Sequence, residues 1–231
     1  GAAGIGGVIL VPLLVYVAGI DIHTSIAASV AAFFVSGLVG TFTYSQRGVI
    51  RWLDFVTVSA GAIPGSLLGA FVLPKIESYI LTLFIALVLI VSAIKQLTGA
   101  KNSRPSHPKK NIPKYQLALV GLVTGFLSVL SGTGGQLVLL PLLNLLSIPL
   151  ITAIGLAQVI QLPIATFASI GNAVNSLIDW KLVMVLSVGL AFGSFIGAKG
   201  SERLPVTYIK MLVSILLLLS GAYMVISLLF T

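Results

Sequence analysis

The sequence contains no cysteine and very few charged residues. Only 8% of its 231 residues are Asp, Glu, Lys or Arg, whereas a soluble globular domain has about 25%. So little polar surface, together with a hydrophobic content of 58%, indicates an integral membrane protein. The absence of cysteine excludes disulfides and thiolate metal sites.

Acidic residues and histidine are also absent from the interior of the apolar segments. Those nearest to the segments fall at segment ends, where we interpret them as solvated or interfacial: Asp21, His23, Asp54, Asp179 and Glu202. A carboxylate proton relay of the pump type needs an acidic residue at depth, so the sequence argues against one. An intramembrane hydrolase would need acid–base or metal-ligand groups at the same depth. We therefore expect no enzyme activity, no cofactor and no metal.

Basic residues give the chain a net charge of +8. They lie in short loops between apolar segments, which favours the positive-inside rule over nucleic-acid binding as their explanation. If the linker at residues 99–114 is cytoplasmic, the outer side keeps only Lys75 and Lys181. The inner side then holds the other basic residues, which are Arg47, Arg51, Lys95, Lys101, Arg104, Lys109, Lys110, Lys114, Lys199, Arg203 and Lys210.

The apolar segments are long and continuous, which is typical of transmembrane helices and unlike the ten-residue alternating strands of a membrane barrel. Three of them are short enough to be half-helices, namely Val8–Val17, Tyr115–Leu130 and Leu137–Leu146. The others are long enough for full spans: Thr24–Tyr44, Phe55–Leu73, Tyr79–Leu97, Thr152–Asn172, Leu182–Ala198 and Val206–Leu229.

The sequence repeats itself at an offset of 128 residues without a gap. This shift places Gly4, Gly6 and Gly7 on Gly132, Gly134 and Gly135, and Trp52 on Trp180. It predicts an internal duplication, with residues 1–98 as the first repeat, 99–114 as the linker and 115–231 as the second repeat. Each repeat has three spans plus a broken element, so we expect the two repeats to be inverted. At the same offset, the counterpart of Pro113–Leu130 would lie before Gly1. We therefore expect a further apolar segment upstream.

Each repeat contains a glycine-rich break in an apolar element. In lipid, the backbone groups that such a break frees are tolerated only where protein buries them or they line a cavity. A helix that begins at Gln136 would direct its free N–H groups and positive dipole end at the break, which favours an anion. Paired broken helices are a sequence signal of a transporter site, although kinks or close helix packing are the alternative. The candidate substrate-binding residues here are Gly6, Gly7, Ser131, Gly132, Thr133, Gly134, Gly135 and Gln136.

A polar stripe follows on the next predicted span. Its members are spaced by three and four residues and share one helix face: Gln158, Gln161, Ala165, Ser169 and Asn172. We take Gln158 and Gln161 as further candidate site residues, because lipid offers an amide no partner. The alternative is that they tie helices together, for about 0.6 kcal/mol each. A stripe of small residues in the first repeat is interpreted as a packing surface: Ser25, Ser29, Ala32, Ser36 and Gly40.

Two glycine triplets at four-residue spacing allow close helix–helix contact. They are Gly61, Gly65 and Gly69 in the first repeat and Gly189, Gly193 and Gly197 in the second. We expect them to form contacts within one chain. A homodimer through these helices is the alternative.

Several motifs recur in both halves. A proline follows each glycine break, at Pro12 and Pro141, and the stretches Gly48-Val49-Ile50-Arg51-Trp52 and Leu177-Ile178-Asp179-Trp180 correspond. With the glycine triplets, these motifs make the whole chain resemble the TauE/SafE family of anion permeases. The resemblance implies that the substrate is sulfite, an organosulfonate or another small sulfur-containing anion.

We therefore expect an all-α, polytopic protein of the cell (cytoplasmic) membrane, surrounded by lipid. It would consist of two inverted repeats, each with three transmembrane helices and a helix pair that is broken by glycine. The broken pair would either cross the membrane or re-enter on the same side. The expected function is secondary transport of a small anion by alternating access. A channel for a small anionic or neutral solute is the alternative.

The distribution of basic residues predicts the orientation in the membrane. A cysteine placed at Ser103, in the linker, should resist a membrane-impermeant maleimide added to intact cells and react once the cells are opened. Ready labelling from outside would contradict the orientation.

Overall fold

The computed structural model describes residues 9–46, 48–98, 112–200 and 206–230. Within these ranges the chain forms ten α-helices and a short 3-10 turn, Leu73–Lys75, and no strand occurs in them. The helices are α1 Leu10–Tyr16, α2 Ile22–Gln46, α3 Trp52–Val72, α4 Ser78–Thr98, α5 Lys114–Ser131, α6 Gln136–Leu145, α7 Leu150–Val159, α8 Gln161–Val174, α9 Trp180–Gly200 and α10 Val206–Phe230.

Five helical segments of the described chain are long and apolar enough to cross a membrane. They are α2, α3 with its 3-10 turn, α4, α5, and α7 with α8 taken together. The expectation of an all-helical membrane protein is confirmed. The predicted spans Leu182–Ala198 and Val206–Leu229 are helical as well, although the apolar stretches described in them, Trp180–Gly193 and Val213–Leu228, are shorter.

Two predicted segments differ from the structure. Tyr115–Leu130, expected as a half-helix, lies within the 18-residue α5, which is long enough to cross the bilayer by itself. The predicted single span Thr152–Asn172 is interrupted at Ile160, between α7 and α8. Pro163 explains the interruption, because it lacks the N–H that would bond to the Val159 carbonyl. Ile160 itself keeps helical dihedral angles, so the chain stays helical through the interruption.

Helices α3 and α5 pack backbone to backbone through glycine. A Cβ atom added at Gly61 would overlap the Ala118 carbonyl, and one at Gly65 would overlap the Leu122 carbonyl. From the other side, a Cβ at Gly121 would overlap the Val58 carbonyl. Such close approach is the usual role of small residues at membrane helix interfaces. The first glycine triplet therefore makes the contact within the chain that was expected of it.

Gly189 and Gly193 of the second triplet do not make the same contact, and the surroundings of Gly197 lie outside what the structure describes. A Cβ added at Gly189 or Gly193 would meet nothing within 4 Å among the described residues. For these two glycines the expectation of a contact within the chain is wrong, because no described helix packs on that face of α9.

The helix bounds repeat at the same offset of 128 residues as the sequence. Residues 22–46 of α2 correspond to 150–174 of α7 and α8, and 52–72 of α3 correspond to 180–200 of α9. Helix α2 packs on α9, α3 packs on α8, and α4 packs on α10. Gly37 of α2 lies against Gln161, and Gly40 lies against Gln158. Helix α2 and its counterpart therefore run antiparallel at their contact.

Acidic residues stabilise the starts of two helices. The carboxylate of Asp21 accepts hydrogen bonds from the N–H groups of His23 and Thr24, at 3.0 and 3.1 Å, at the start of α2. Burial acts to raise the pKa of Asp21, but these donors and the His23 side chain hold it below its ordinary value. Asp179 caps α9 in the same way, through the N–H groups of Lys181 and Leu182.

Asp54 does not fit the interpretation of a solvated segment end. It lies in the first turn of α3, is only 7% exposed and pairs with the Arg51 Nε atom at 3.2 Å. Packing around the start of α3 shields it from water.

The contact between α3 and α5 leads to a stability prediction. Gly65→Val should lower the free energy of unfolding by about 1–3 kcal/mol or more, because no rotamer moves a Cβ away from the Leu122 backbone. Thermal unfolding of the purified protein in detergent measures this loss. Ala60→Val is the matched control, since Ala60 is exposed on the same helix. Equal unfolding temperatures for the two variants would contradict the account.

Candidate functional site

The glycine loop, residues Gly132–Gly135, joins α5 to α6. Three of its residues have left-handed backbone angles, with φ of +66° at Gly132, +67° at Gly134 and +97° at Gly135. Glycine adopts such angles without the steric cost that a side chain brings. At the end of α5, the N–H groups of Gly132 and Thr133 both bond to the Ser128 carbonyl. The glycines are thus required by the backbone path of the loop.

Side chains from three other helices and from the α7–α8 interruption surround the glycine loop. A Cβ added at Gly132 would lie 2.5 Å from Val11 of α1, and one at Gly134 would lie 2.8 Å from the Phe33 ring of α2. At Gly135 the neighbours are Ile160, at the α7–α8 interruption, and Ile164 of α8. All four residues of the loop are buried.

The contacts also indicate how deep the loop lies. Phe33 is close to the middle of α2, and Ile160 and Ile164 are close to the middle of residues 150–174. Both helical segments are long enough to cross a membrane. The glycine loop therefore lies beside the midpoints of two membrane-length segments.

Helix α6 begins at the loop with free backbone donors. Its first backbone bond runs from the Leu139 N–H to the Gly135 carbonyl at 2.9 Å. The N–H groups of Gln136, Leu137 and Val138 consequently have no acceptor within the helix. Gln136 and Leu137 are buried, so water has little access to this positive end of the helix dipole.

The hydroxyl groups of Ser131 and Thr133 are already engaged. Ser131 donates to the Leu127 carbonyl at 2.8 Å, and its oxygen lies 2.9 Å from the Thr133 hydroxyl. Both side chains are buried. These bonds hold the loop together, and a direct role of the two hydroxyls in substrate binding stays a prediction.

The two candidate glutamines lie between α2 and the α7–α8 pair. Gln158 is 5% exposed and lies against Gly40, while Gln161 is 1% exposed and lies beside Gly37. Gln161 follows Ile160, which contacts Gly135, and its Oε1 atom has no hydrogen-bond partner. Gln161 thus lies on the segment that contacts the loop, while its own contact is with Gly37 of α2; its role in substrate binding stays a prediction. Gln158 lies one helical turn further away along the chain.

The first-repeat candidates Gly6 and Gly7 lie outside the described residues. The helix that follows them, α1, reaches the glycine loop Gly132–Gly135 through Val11.

Two further polar side chains were not singled out from the sequence as site residues. Ser128 adjoins Gly135 directly, and Ser29 lies on α2 between Ile26 and Phe33, which contact Gly132 and Gly134. The hydroxyls of Ser29 and Ser128 are fully buried and have no hydrogen-bond partner. Ser29 belongs to the stripe interpreted as a packing surface, and Ser128 lies inside a predicted half-helix. No local sequence signal distinguishes a serine whose hydroxyl donates to a carbonyl of its own helix from a serine whose hydroxyl does not.

Within the described part of the chain, no three His, Asp or Glu side chains come together in a way that could hold a metal ion. Among the described atoms nearest to the Cβ positions of Gly132, Gly134 and Gly135, the Ser128 hydroxyl oxygen is the only polar side-chain atom. This hydroxyl and the backbone N–H groups of α6 are neutral donors.

The family of this chain follows from comparing its sequence with models of known protein families. The sequence model of the family described as "Sulfite exporter TauE/SafE" matches residues 1–224. The chain belongs to the TauE/SafE family. The resemblance inferred from the glycine breaks and the repeated motifs is confirmed.

Curated relatives in the TauE/SafE family are described as probable membrane transporters. The protein YdhB of Bacillus subtilis is 26% identical over 214 residues, which cover 91% of this chain and 86% of the relative. The protein MJ0441 of Methanocaldococcus jannaschii is 23% identical over 241 residues, covering 96% of this chain and 88% of the relative. No solved structure matches the chain significantly.

The crowding around the loop leads to a test of its geometry. Gly134→Ala should abolish uptake into proteoliposomes of whichever labelled oxyanion the wild-type protein takes up, because the added Cβ would strike the Phe33 ring and displace the loop. Gly19→Ala is the matched control. Gly19 has the same φ of +67° but open space around it, so this variant carries the backbone strain without the crowding.

The expected result for Gly19→Ala is uptake close to wild type with a modest loss of stability. Unchanged uptake by Gly134→Ala, in protein that has inserted normally, would show that transport does not depend on the loop geometry.

Proposed function

We propose that this protein is a secondary transporter that moves a small anion across the cytoplasmic membrane, with sulfite or an organosulfonate as the substrate. The observation that supports this proposal most directly is the start of α6, where three free N–H groups adjoin a buried glycine loop. The loop lies beside the midpoints of two membrane-length segments. The substrate class comes from the description of the family, "Sulfite exporter TauE/SafE".

The chemistry of the loop supports an anion as the substrate. An anion that leaves water must replace its hydration shell, and backbone N–H groups at a helix N-terminus can do so. Because these donors are neutral and fixed, they bind the anion without the strong attachment that a buried Lys or Arg would give. Burial strengthens each hydrogen bond by lowering the local dielectric constant. Such a site holds the anion and can also release it.

The helix packing supports alternating access as the mechanism. Helix α2 and its counterpart at offset 128, which is α7 with α8, run antiparallel where they meet. At the same offset α3 corresponds to α9, so the contact of α2 with α9 and the contact of α3 with α8 are equivalent, and both are present. This is the arrangement expected of inverted repeats, which many transporters use to open a central site to either side in turn. We infer that the repeats rock against each other around the glycine loop.

Transport assays with purified protein in liposomes test the proposal. Labelled sulfite uptake should saturate, and unlabelled sulfite loaded inside should accelerate it. Sulfate, thiosulfate and small sulfonates, added outside, should rank by how strongly they compete. Flux that rises linearly with concentration and shows no acceleration from the other side would favour a channel and contradict a carrier.

Gln161→Leu tests the wall of the site in the same assay. It keeps the volume but removes an amide, and losing one hydrogen bond to an anion costs about 1.5–3 kcal/mol, or roughly a 10- to 150-fold loss of affinity. Gln116→Leu, near the start of α5, is the control and should leave affinity unchanged. If Gln161 only braces helices, its variant should lose stability and keep its affinity.

A further inference from the structure

Many hydroxyl groups on the described helices bond to a backbone carbonyl three or four residues earlier. Such bonds are made by Thr43, Ser45, Thr57, Ser66, Thr82, Ser131, Thr166 and Ser227. They satisfy the hydroxyl where lipid or packed side chains offer no other partner. Among the described residues, five buried hydroxyls have no hydrogen-bond partner, and these are Ser29, Thr41, Ser59, Thr124 and Ser128.

Ser128 is one of these five and lies directly at the glycine loop. Its Oγ atom is 3.6 Å from the position that a Cβ on Gly135 would occupy. Its carbonyl accepts the N–H groups of Gly132 and Thr133, so the residue is fixed to the start of the loop. The side chain is 0% exposed. Its hydroxyl therefore lies next to Gly135, the residue that immediately precedes the free N–H groups of α6.

Ser29 faces the loop from α2. Ile26 contacts Gly132, and Phe33 contacts Gly134. Ser29 comes three residues after Ile26 and four before Phe33, so the three share one face of the helix. The side chain of Ser29 is 0% exposed. One unpartnered hydroxyl thus adjoins the loop from α5, and a second faces it from α2.

A buried hydroxyl without a partner is unfavourable, and native structures rarely keep one without a reason. Both serines could bond to their own helix, as Ser131 does one turn after Ser128. We propose that Ser29 and Ser128 are ligands of the transported anion, donating their hydroxyl hydrogens to it when it binds at the start of α6. The proposal rests on the proposed transport function and adds two residues to its site.

The combination also points to the class of anion. Two hydroxyls and three backbone N–H groups offer five donors from two sides of the loop, so they suit a compact oxyanion with several acceptor oxygens. Sulfite meets this description. A hydroxyl can turn to donate when the anion arrives, so the site needs no fixed positive charge.

Ser29→Ala and Ser128→Ala, each in the full chain, test the proposal against Ser66→Ala and Thr82→Ala. The control residues are also buried, but their hydroxyls bond to the Ile63 and Ser78 carbonyls. All four variants are measured for the unfolding temperature without ligand, for the rise of that temperature with added sulfite, and for sulfite uptake.

The two pairs should respond in opposite ways. Ser29→Ala and Ser128→Ala should each weaken sulfite affinity about tenfold or more. Their unfolding temperature without sulfite should be unchanged or higher, because an unpartnered buried hydroxyl has been removed. Ser66→Ala and Thr82→Ala should keep wild-type affinity and lose stability.

Wild-type affinity in both Ser29→Ala and Ser128→Ala, while the wild-type protein transports sulfite, would overturn this proposal and leave the transport function standing. A lower unfolding temperature with unchanged affinity would assign these serines to packing and overturn it as well. A wild-type protein that neither binds nor transports any anion of the panel would overturn both proposals.

Discussion

The structure depends on one constraint. Backbone N–H groups that a break leaves without a helical partner inside a membrane protein must be buried in protein or line a cavity where they can bind something. The first turn of α6 exposes three such groups at a buried loop, and no described residue accepts a hydrogen bond from them. The glycines of the loop, the surrounding apolar side chains and the unpartnered serines all lie around this point. An arriving anion would satisfy the backbone donors and the serine hydroxyls together.

Close helix packing holds this point in place. The glycine contact between α3 and α5 fixes the helix that leads into the loop, with backbone against backbone at Gly65 and Leu122. On the other side, Gly37 and Gly40 of α2 make room for Gln161 and Gln158. Small residues thus decide where the larger polar side chains lie. The same feature lets a short, neutral loop keep a defined shape without charged residues around it.

The general plan could be predicted from the sequence because its signals are local. Hydrophobic length located the helices, and the glycines between Ser131 and Gln136 marked the loop. The interruption at Ile160 was not predicted from the sequence, because Pro163 lies inside a continuous apolar run. A single proline there does not visibly change the hydropathy of the run. The contrast between Ser128 and Ser131 also escaped, because a hydroxyl's partner depends on its rotamer and on residues distant in the chain. An open face at Gly189 could not be foreseen from a motif that packs tightly at Gly61.

The most direct test of the account is an experimental structure with selenite in place of sulfite, since selenium is located by its anomalous scattering. The account predicts a selenium peak at the start of α6, within hydrogen-bonding reach of the Gln136–Val138 N–H groups and of the Ser29 and Ser128 hydroxyls. A bound selenite at another place in the membrane region, with the glycine loop closed as it is here, would contradict the central claim.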